Sequence, residues 1–433
     1  MKTYIGLALL LFIFIFQPPF VPVALIYLLG PLVMLLLLRN KDKHSQHRIA
    51  VQSEMRRIWY FFLFLGVYLL LINILDIFIV GDNNLGIARL KSFNQLLILP
   101  GFQFLFVLYF IILAEKKELN IDDVFLIIVL AACIEGVCAV VAYLSPTMRF
   151  LFVTYGQQKL FLNEYFIEKR GFGFAQNLID TFGFGVGLIA GYILLYDWRE
   201  KTNRIFLMIA IVLLLFTTAV NARTGLFVFV LAIVVRYLYE KSIVKFVVKL
   251  ALLLIFGGAI ISFAQDLINT GLNSGNNTVV WISSAFDQMM NFFSDDTSQS
   301  VEDLTFVSNI VTLPTHPLEL LFGSGHWIYD TYMQLGLRTD IGWYNLFWEF
   351  GIIGTVVLMT GMTYFIMLPF FLSKKKSIQM ISVFNIVAYY IVLVKAILLG
   401  SNPGSFVIYF TTFALCYYIR KEKRKPILYD THA

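Results

Sequence analysis

The chain has 433 residues, of which 59% are hydrophobic and only 14% charged, and its mean hydropathy is +0.79. Soluble domains carry about 25% charged residues, so this composition excludes a water-soluble fold and describes an integral membrane protein. The formal net charge of +6 is not a nucleic-acid signal, because in such a chain Lys and Arg set the orientation in the bilayer.

A spanning helix needs about 20 mostly apolar residues, and on that rule the chain reads as an all-α polytopic protein with about twelve spans. They fall near 3–16, 20–38, 58–80, 93–114, 123–145, 180–196, 205–220, 226–240, 247–264, 342–372, 378–398 and 405–419, within a single membrane domain over 1–433. The N-terminal run has the layout of a signal peptide. No small-residue cleavage site follows it, however, and a second apolar run starts at Val21, so two spans joined by the Pro18-Pro19 turn are expected. With Lys2 inside, most of the 33 Lys and Arg fall on the cytoplasmic side, which puts both termini in the cytoplasm. Cys133, Cys138 and Cys416 all lie in apolar runs, so no disulfide framework is implied.

Two outside loops are long. The first, 146–179, is basic and contains Arg149, Lys159, Lys169 and Arg170. The second, 265–341, precedes the tenth span and is acidic, with Arg338 its one cation. A basic loop beside an acidic one either suits an anionic lipid head group or lets the loops attract each other.

Arg223 lies in TTAVNARTGLFVFV, between two spans with almost no loop. A guanidinium at that depth needs a partner or a polar cavity. It is either a bidentate phosphate ligand, helped by the helix start at Thr224 and Gly225, or a snorkelling arginine at a turn. Arg170 opens RGFGFAQNLIDTFGFGVG, whose glycines allow close backbone approach. In it Asn177 and Asp180 stand at the next helix start, as caps or as site residues. Asp340, at a loop–helix junction two residues after Arg338, is the best-placed general base and equally a helix N-cap. His326 is the other titratable group nearby. Tyr344, Trp343 and Trp348 either stack on sugars or form an interfacial belt. Glu135, Glu349 and Lys395 are ionisable groups within spans. There is no Gly-rich nucleotide loop and no His/Cys metal spacing in the sequence.

Three stretches resemble the bacterial O-antigen polymerase and O-antigen ligase superfamily, which includes capsule and exopolysaccharide polymerases. They are RGFGFAQN at 170–177, NARTGLFVFVLA at 221–232, and LFGSGH followed by DIGWYNLFWEFGIIG. Asp340 stands where the ligase branch often has a His, which favours the polymerase branch. The resemblance implies a GT-C-like membrane glycosyltransferase that acts at the outer face of the cytoplasmic membrane. It would join undecaprenyl-pyrophosphate-linked oligosaccharide repeat units into a surface polysaccharide, using no nucleotide sugar, cofactor or required metal. A flippase and a chain-length regulator of the same pathway are its implied partners. On this resemblance Arg223 and Arg170 bind pyrophosphate and Asp340 deprotonates the acceptor. Arg338, His326, Asn177 and Tyr344 help to position substrate. A ligase-type glycan transferase and a transporter of the same lipid are the competing readings.

Overall fold

Long apolar runs become helices in a bilayer because each backbone N–H and C=O must find its partner within the protein. A computed structural model describes residues 2–18, 60–75, 99–156, 173–174, 180–199, 202–221, 224–240, 314, 316–325, 342–393 and 403–429, and among them every regular element is a helix. In chain order these are α1 (Lys2–Phe16), α2 (Tyr60–Leu75), α3 (Leu99–Lys116), α4 (Ile121–Leu144), α5 (Pro146–Gly156) and α6 (Asp180–Leu195). There follow α7 (Arg204–Asn221), α8 (Thr224–Tyr239), α9 (Pro317–Phe322), α10 (Gly342–Leu372), α11 (Lys376–Leu393) and α12 (Pro403–Tyr429). Among the described residues, α4, α7, α10 and α11 are long and apolar enough to cross a membrane. The spans expected near 20–38 and 247–264 lie outside the described residues.

The outward faces fit a lipid environment. On α7 Ile205, Met208, Ile209 and Val212 are exposed, and on α8 Phe227, Val230, Val234 and Leu238. This spacing makes an apolar stripe along one helix face. Contiguous exposed stripes of this kind are rare on soluble proteins. The chain is therefore a membrane-embedded helical protein.

The backbone clusters into two compact units, Met1–Val21 with Ile127–Leu304, and Pro22–Leu126 with Thr305–Ala433. In the first, α6 is the hub. Every residue from Phe182 to Ile193 is buried, as expected of a helix that is apolar all round. Phe16 of α1 meets Phe182 edge-on at 5.8 Å, and Tyr143 of α4 meets Phe216 of α7 at 5.4 Å. At the far end of α6, Arg236 of α8 donates to the Leu195 carbonyl at 3.4 Å and pairs with Asp197 at 3.6 Å and with Glu240.

The basic segment expected to be a loop from Pro146 onward begins as a helix. Ser145 and Pro146 supply the start: the Ser145 Oγ accepts from the Met148 N–H at 3.3 Å, and Pro is pre-shaped for the first helical position. Arg149 then folds back on α4. Its Nε donates to the Ala142 carbonyl at 3.1 Å and its Nη2 to the Tyr143 carbonyl at 3.1 Å. These carbonyls belong to the last turn of α4, which has no partners within its own helix. Arg149 is only 9% exposed, and burial pushes its guanidinium below the usual arginine range. One cation counted toward an anion-binding loop is thus occupied as a helix terminator.

In the second unit aromatic rings make the core. Phe104 of α3 packs against Phe62 of α2 at 5.2 Å and against Tyr409 and Phe413 of α12 at 5.3 and 5.0 Å. Phe365 of α10 joins from 5.0 Å to Phe413. At one end, Lys421 pairs with Glu115 at 3.4 Å, Lys375 with Glu422 at 2.9 Å, and the Tyr418 hydroxyl donates to the Leu119 carbonyl at 3.1 Å. The basic stretches around Lys116, Lys375 and Lys421 therefore meet at one end of this unit. Helix α12 runs on through Arg420 to Tyr429, past the end of the span expected near 405–419. The α3–α4 turn closes on Asn120, whose Oδ1 accepts from the Asp122 N–H at 2.9 Å while Asp123 accepts from the Asn120 N–H at 2.8 Å. This is a reciprocal capping arrangement.

Candidate functional site

Helix α10 covers the expected span 342–372, yet it is not one continuous helix. Gly351 has φ 64° and ψ −174°, a combination essentially confined to glycine. The helix breaks there, leaving one piece at 342–350 and a second at 352–372. A break inside a membrane helix strands carbonyls that must be re-satisfied by protein.

The Gly323-Ser324-Gly325 segment supplies most of the partners. The Ser324 N–H donates to the Trp348 carbonyl at 2.8 Å and the Gly325 N–H to the Glu349 carbonyl at 3.0 Å. The Ser324 Oγ also donates to the Trp348 carbonyl at 2.9 Å. The Tyr68 hydroxyl of α2 lies 3.0 Å from the Phe322 carbonyl and 2.8 Å from that of Phe350, and so bridges loop and helix. Across the break, Thr355 Oγ1 donates to the Leu346 carbonyl at 3.0 Å. Gly323, at φ 85°, lies so close to the break that a Cβ on it would stand 2.5 Å from the Gly351 nitrogen. The described parts of the third resembling stretch are therefore one structural object, a Gly-x-Gly segment docked on a broken helix.

Glu349, one residue before Phe350 on the first piece, is 1% exposed, and Asn345 one turn earlier is equally buried. Beside this object is a shallow cleft of about 140 Å³ between Ile72, Leu75, Leu318 and Phe322, with His316 and Glu319 as its ionisable members. His316 stands at the N-cap of α9, before Pro317.

The first unit joins pieces of the other two stretches to their surroundings. Glu135 of α4, 0% exposed, accepts a hydrogen bond from the Phe174 N–H at 3.1 Å. Its carboxylate carbon would lie 2.7 Å from a Cβ at Gly173. The RGFGFAQN segment thus passes close to α4 at Gly173 and Phe174. Gly225, at the start of α8, sits against α6 so tightly that its own Cβ would be 2.9 Å from the Gly183 carbonyl carbon. A Cβ on Gly187 would be 2.7 Å from the Gly225 Cα. Small residues at such spacing let membrane helices approach at backbone distance. Asn221, which ends α7, is 1% exposed and, among the described residues, has no hydrogen-bond partner for either side-chain atom.

Among the site residues expected from sequence, Arg170, Asn177, Arg223, His326, Arg338 and Asp340 lie outside the described residues, as does Lys395. Tyr344 is described. It is 3% exposed, and its ring packs edge-on against Trp348 at 6.3 Å. Trp343 stacks on Tyr390 of α11 at 5.8 Å, so Tyr344, Trp348 and Trp343, the three aromatics expected at an interface or a sugar, each pack on another ring within the protein. Sequence reasoning missed Tyr68, Ser324 and Asn221. Tyr68 and Asn221 sit in or at the end of apolar runs, and Ser324 lies between two glycines. A hydroxyl or amide within a membrane run was the available signal.

No protein-family model, curated protein or solved structure matches the chain.

Proposed function

We propose that this protein is a GT-C-like membrane glycosyltransferase with about twelve spans that polymerises undecaprenyl-pyrophosphate-linked oligosaccharide repeat units at the outer face of the cytoplasmic membrane. The observation that carries the reading is the docking of Gly323-Ser324-Gly325 on the break at Gly351. In two of the stretches that resemble the polymerase superfamily, glycines permit a close backbone contact: Gly323 with Gly351, and Gly225 with Gly183. In the remaining stretch Gly173 lies against the Glu135 side chain.

In this mechanism an acceptor sugar hydroxyl attacks the anomeric carbon of the donor's first sugar. The bond from that carbon to the pyrophosphate oxygen breaks as the new glycosidic bond forms. Asp340 takes the hydroxyl proton. Arg223 and Arg170 neutralise the departing undecaprenyl pyrophosphate, which is the role of preorganised charge. No proton is needed on the leaving group. Arg338, His326, Asn177 and Tyr344 orient donor or acceptor.

Arg223→Ala and Arg170→Ala are expected to shorten or abolish the surface polymer in cells at normal protein levels. Unchanged polymer length and amount would overturn the pyrophosphate assignment. The broken helix also favours a second reading, because discontinuous helices recur in transporters, where their ends hold substrate. Movement of the lipid-linked unit across a proteoliposome bilayer, with no polymer formed, would decide for transport.

A further inference from the structure

Helices α10 and α11 are each long and apolar enough to cross a membrane, so the short junction between them lies at a membrane surface. That junction carries Lys374, Lys375 and Lys376, all exposed. Two ion pairs draw other cationic helix ends to it. Lys375 pairs with Glu422 of α12 at 2.9 Å, and Lys421, one residue earlier in α12, pairs with Glu115 of α3 at 3.4 Å. Lys421 also stands 6.0 Å from the ring centres of Tyr417 and Tyr418, a cation–π distance.

These pairs occupy the acids and leave lysines over. Lys116 and Lys117 beside Glu115, Lys374 and Lys376 beside Lys375, and Lys423 beside Glu422 are exposed and have no carboxylate partner among the described residues. Of the other acids at this end, Asp123 accepts from the Asn120 N–H at 2.8 Å, which leaves Glu118 and Asp122 against those lysines. Orienting the chain needs only cations near each helix end. Clasping three such ends together does more, because it concentrates positive charge at the depth of the lipid head groups. Phe371, three residues before Lys374, is 69% exposed, so an apolar ring adjoins the cations.

We infer that this end of the second unit is a binding surface for an anionic phospholipid, whose phosphate meets the lysines and whose acyl chains lie along Phe371. A soluble phosphate compound has the charge but nothing to place on the ring. The inference needs only the membrane embedding and is independent of glycosyl transfer.

The test uses the purified full-length protein in detergent. Lys374→Gln with Lys376→Gln and, separately, Lys116→Gln with Lys117→Gln are compared with wild type. Arg199→Gln with Arg204→Gln removes the same charge from two exposed cations of the first unit. The probes are phosphatidylglycerol, phosphatidylethanolamine with the same chains, and glycerol 3-phosphate, in titrations with labelled lipid at low and high salt. Wild type binds phosphatidylglycerol at least about tenfold more tightly than phosphatidylethanolamine, because each Lys near an anionic head group contributes about fivefold. High salt narrows that difference, and glycerol 3-phosphate does not displace the lipid. Each lysine pair, once replaced, loses at least about tenfold for phosphatidylglycerol. It keeps the wild-type affinity for phosphatidylethanolamine and the wild-type melting temperature, since these lysines have no partner to lose. Either pair decides alone if the other lowers the melting temperature.

Equal binding of the two lipids by wild type overturns the inference, as does unchanged phosphatidylglycerol affinity in the lysine variants. An equal loss in the Arg199→Gln, Arg204→Gln protein makes net charge the cause and overturns it too. Displacement of the lipid by glycerol 3-phosphate would make this a site for soluble phosphate instead.

Discussion

Replacing Gly351 with alanine tests the break in α10 by the sign of its effect. At φ 64° and ψ −174° a side chain is strained, at about 1–3 kcal/mol. The added Cβ would also lie 2.5 Å from the Leu321 carbonyl oxygen, and overpacking of that kind costs about 1–3 kcal/mol more. The expected destabilisation is therefore about 2–6 kcal/mol, a large part of the roughly 5–15 kcal/mol that holds a typical fold. In an unbroken helix the same change would stabilise by about 0.5–1 kcal/mol, because alanine is the better helix former. The assay is thermal unfolding in detergent, followed by labelling of the buried Cys416 thiol. Gly323→Ala is expected to act in the same direction. The double variant should cost less than the sum, because either change alone undocks the loop. A melting temperature for Gly351→Ala at or above wild type would falsify the broken-helix account.

Two further outcomes follow from the same geometry, and a third from the role assigned to Asp340 by sequence. Tyr68→Phe leaves the Phe322 and Phe350 carbonyls without their shared donor, and thermal unfolding should show a loss of about 1–3 kcal/mol. Arg149→Met strips the donors from the Ala142 and Tyr143 carbonyls and should cost about 1–3 kcal/mol in the same assay, with no change in lipid binding, since that guanidinium is occupied. Asp340→Asn should lower the rate of glycosyl transfer by about 10²–10⁴-fold while binding of the lipid-linked unit stays at wild-type strength. An equal loss of binding and rate would move Asp340 from general base to structural cap.

Apolar length made the helical scaffold legible before any coordinates. The runs expected near 123–145, 205–220 and 342–372 appear as α4, α7 and α10, because a bilayer forces long apolar stretches to satisfy their own backbone. The break in α10 was not legible. Gly351 sits inside a run whose hydropathy alone reads as continuous helix, and the loop that fills the gap comes from residues 323–325. Distance along the chain also hid the partner of Glu135. Its charge within a span was conspicuous, but the backbone N–H it binds is 39 residues away. Arg149 was misread for a different reason. A cation after a span looks like a loop residue, although Ser145-Pro146 already carried the start signal of another helix. The residues assigned to catalysis, Asp340 and Arg223 foremost, lie outside the described residues, so their roles rest on sequence. Of the candidate site, the structure describes the scaffold on either side of them in the chain.

The central claim is glycosyl transfer between lipid-linked units. The most direct test incubates the purified protein in detergent with one synthetic undecaprenyl-pyrophosphate-linked repeat unit, without nucleotide sugar or added metal. Products are separated by size, and free undecaprenyl pyrophosphate is measured. The account predicts a ladder of lipid-linked oligomers, with one undecaprenyl pyrophosphate released for each bond formed. Intact substrate with no released lipid pyrophosphate, from protein that is folded and binds that substrate, would contradict it.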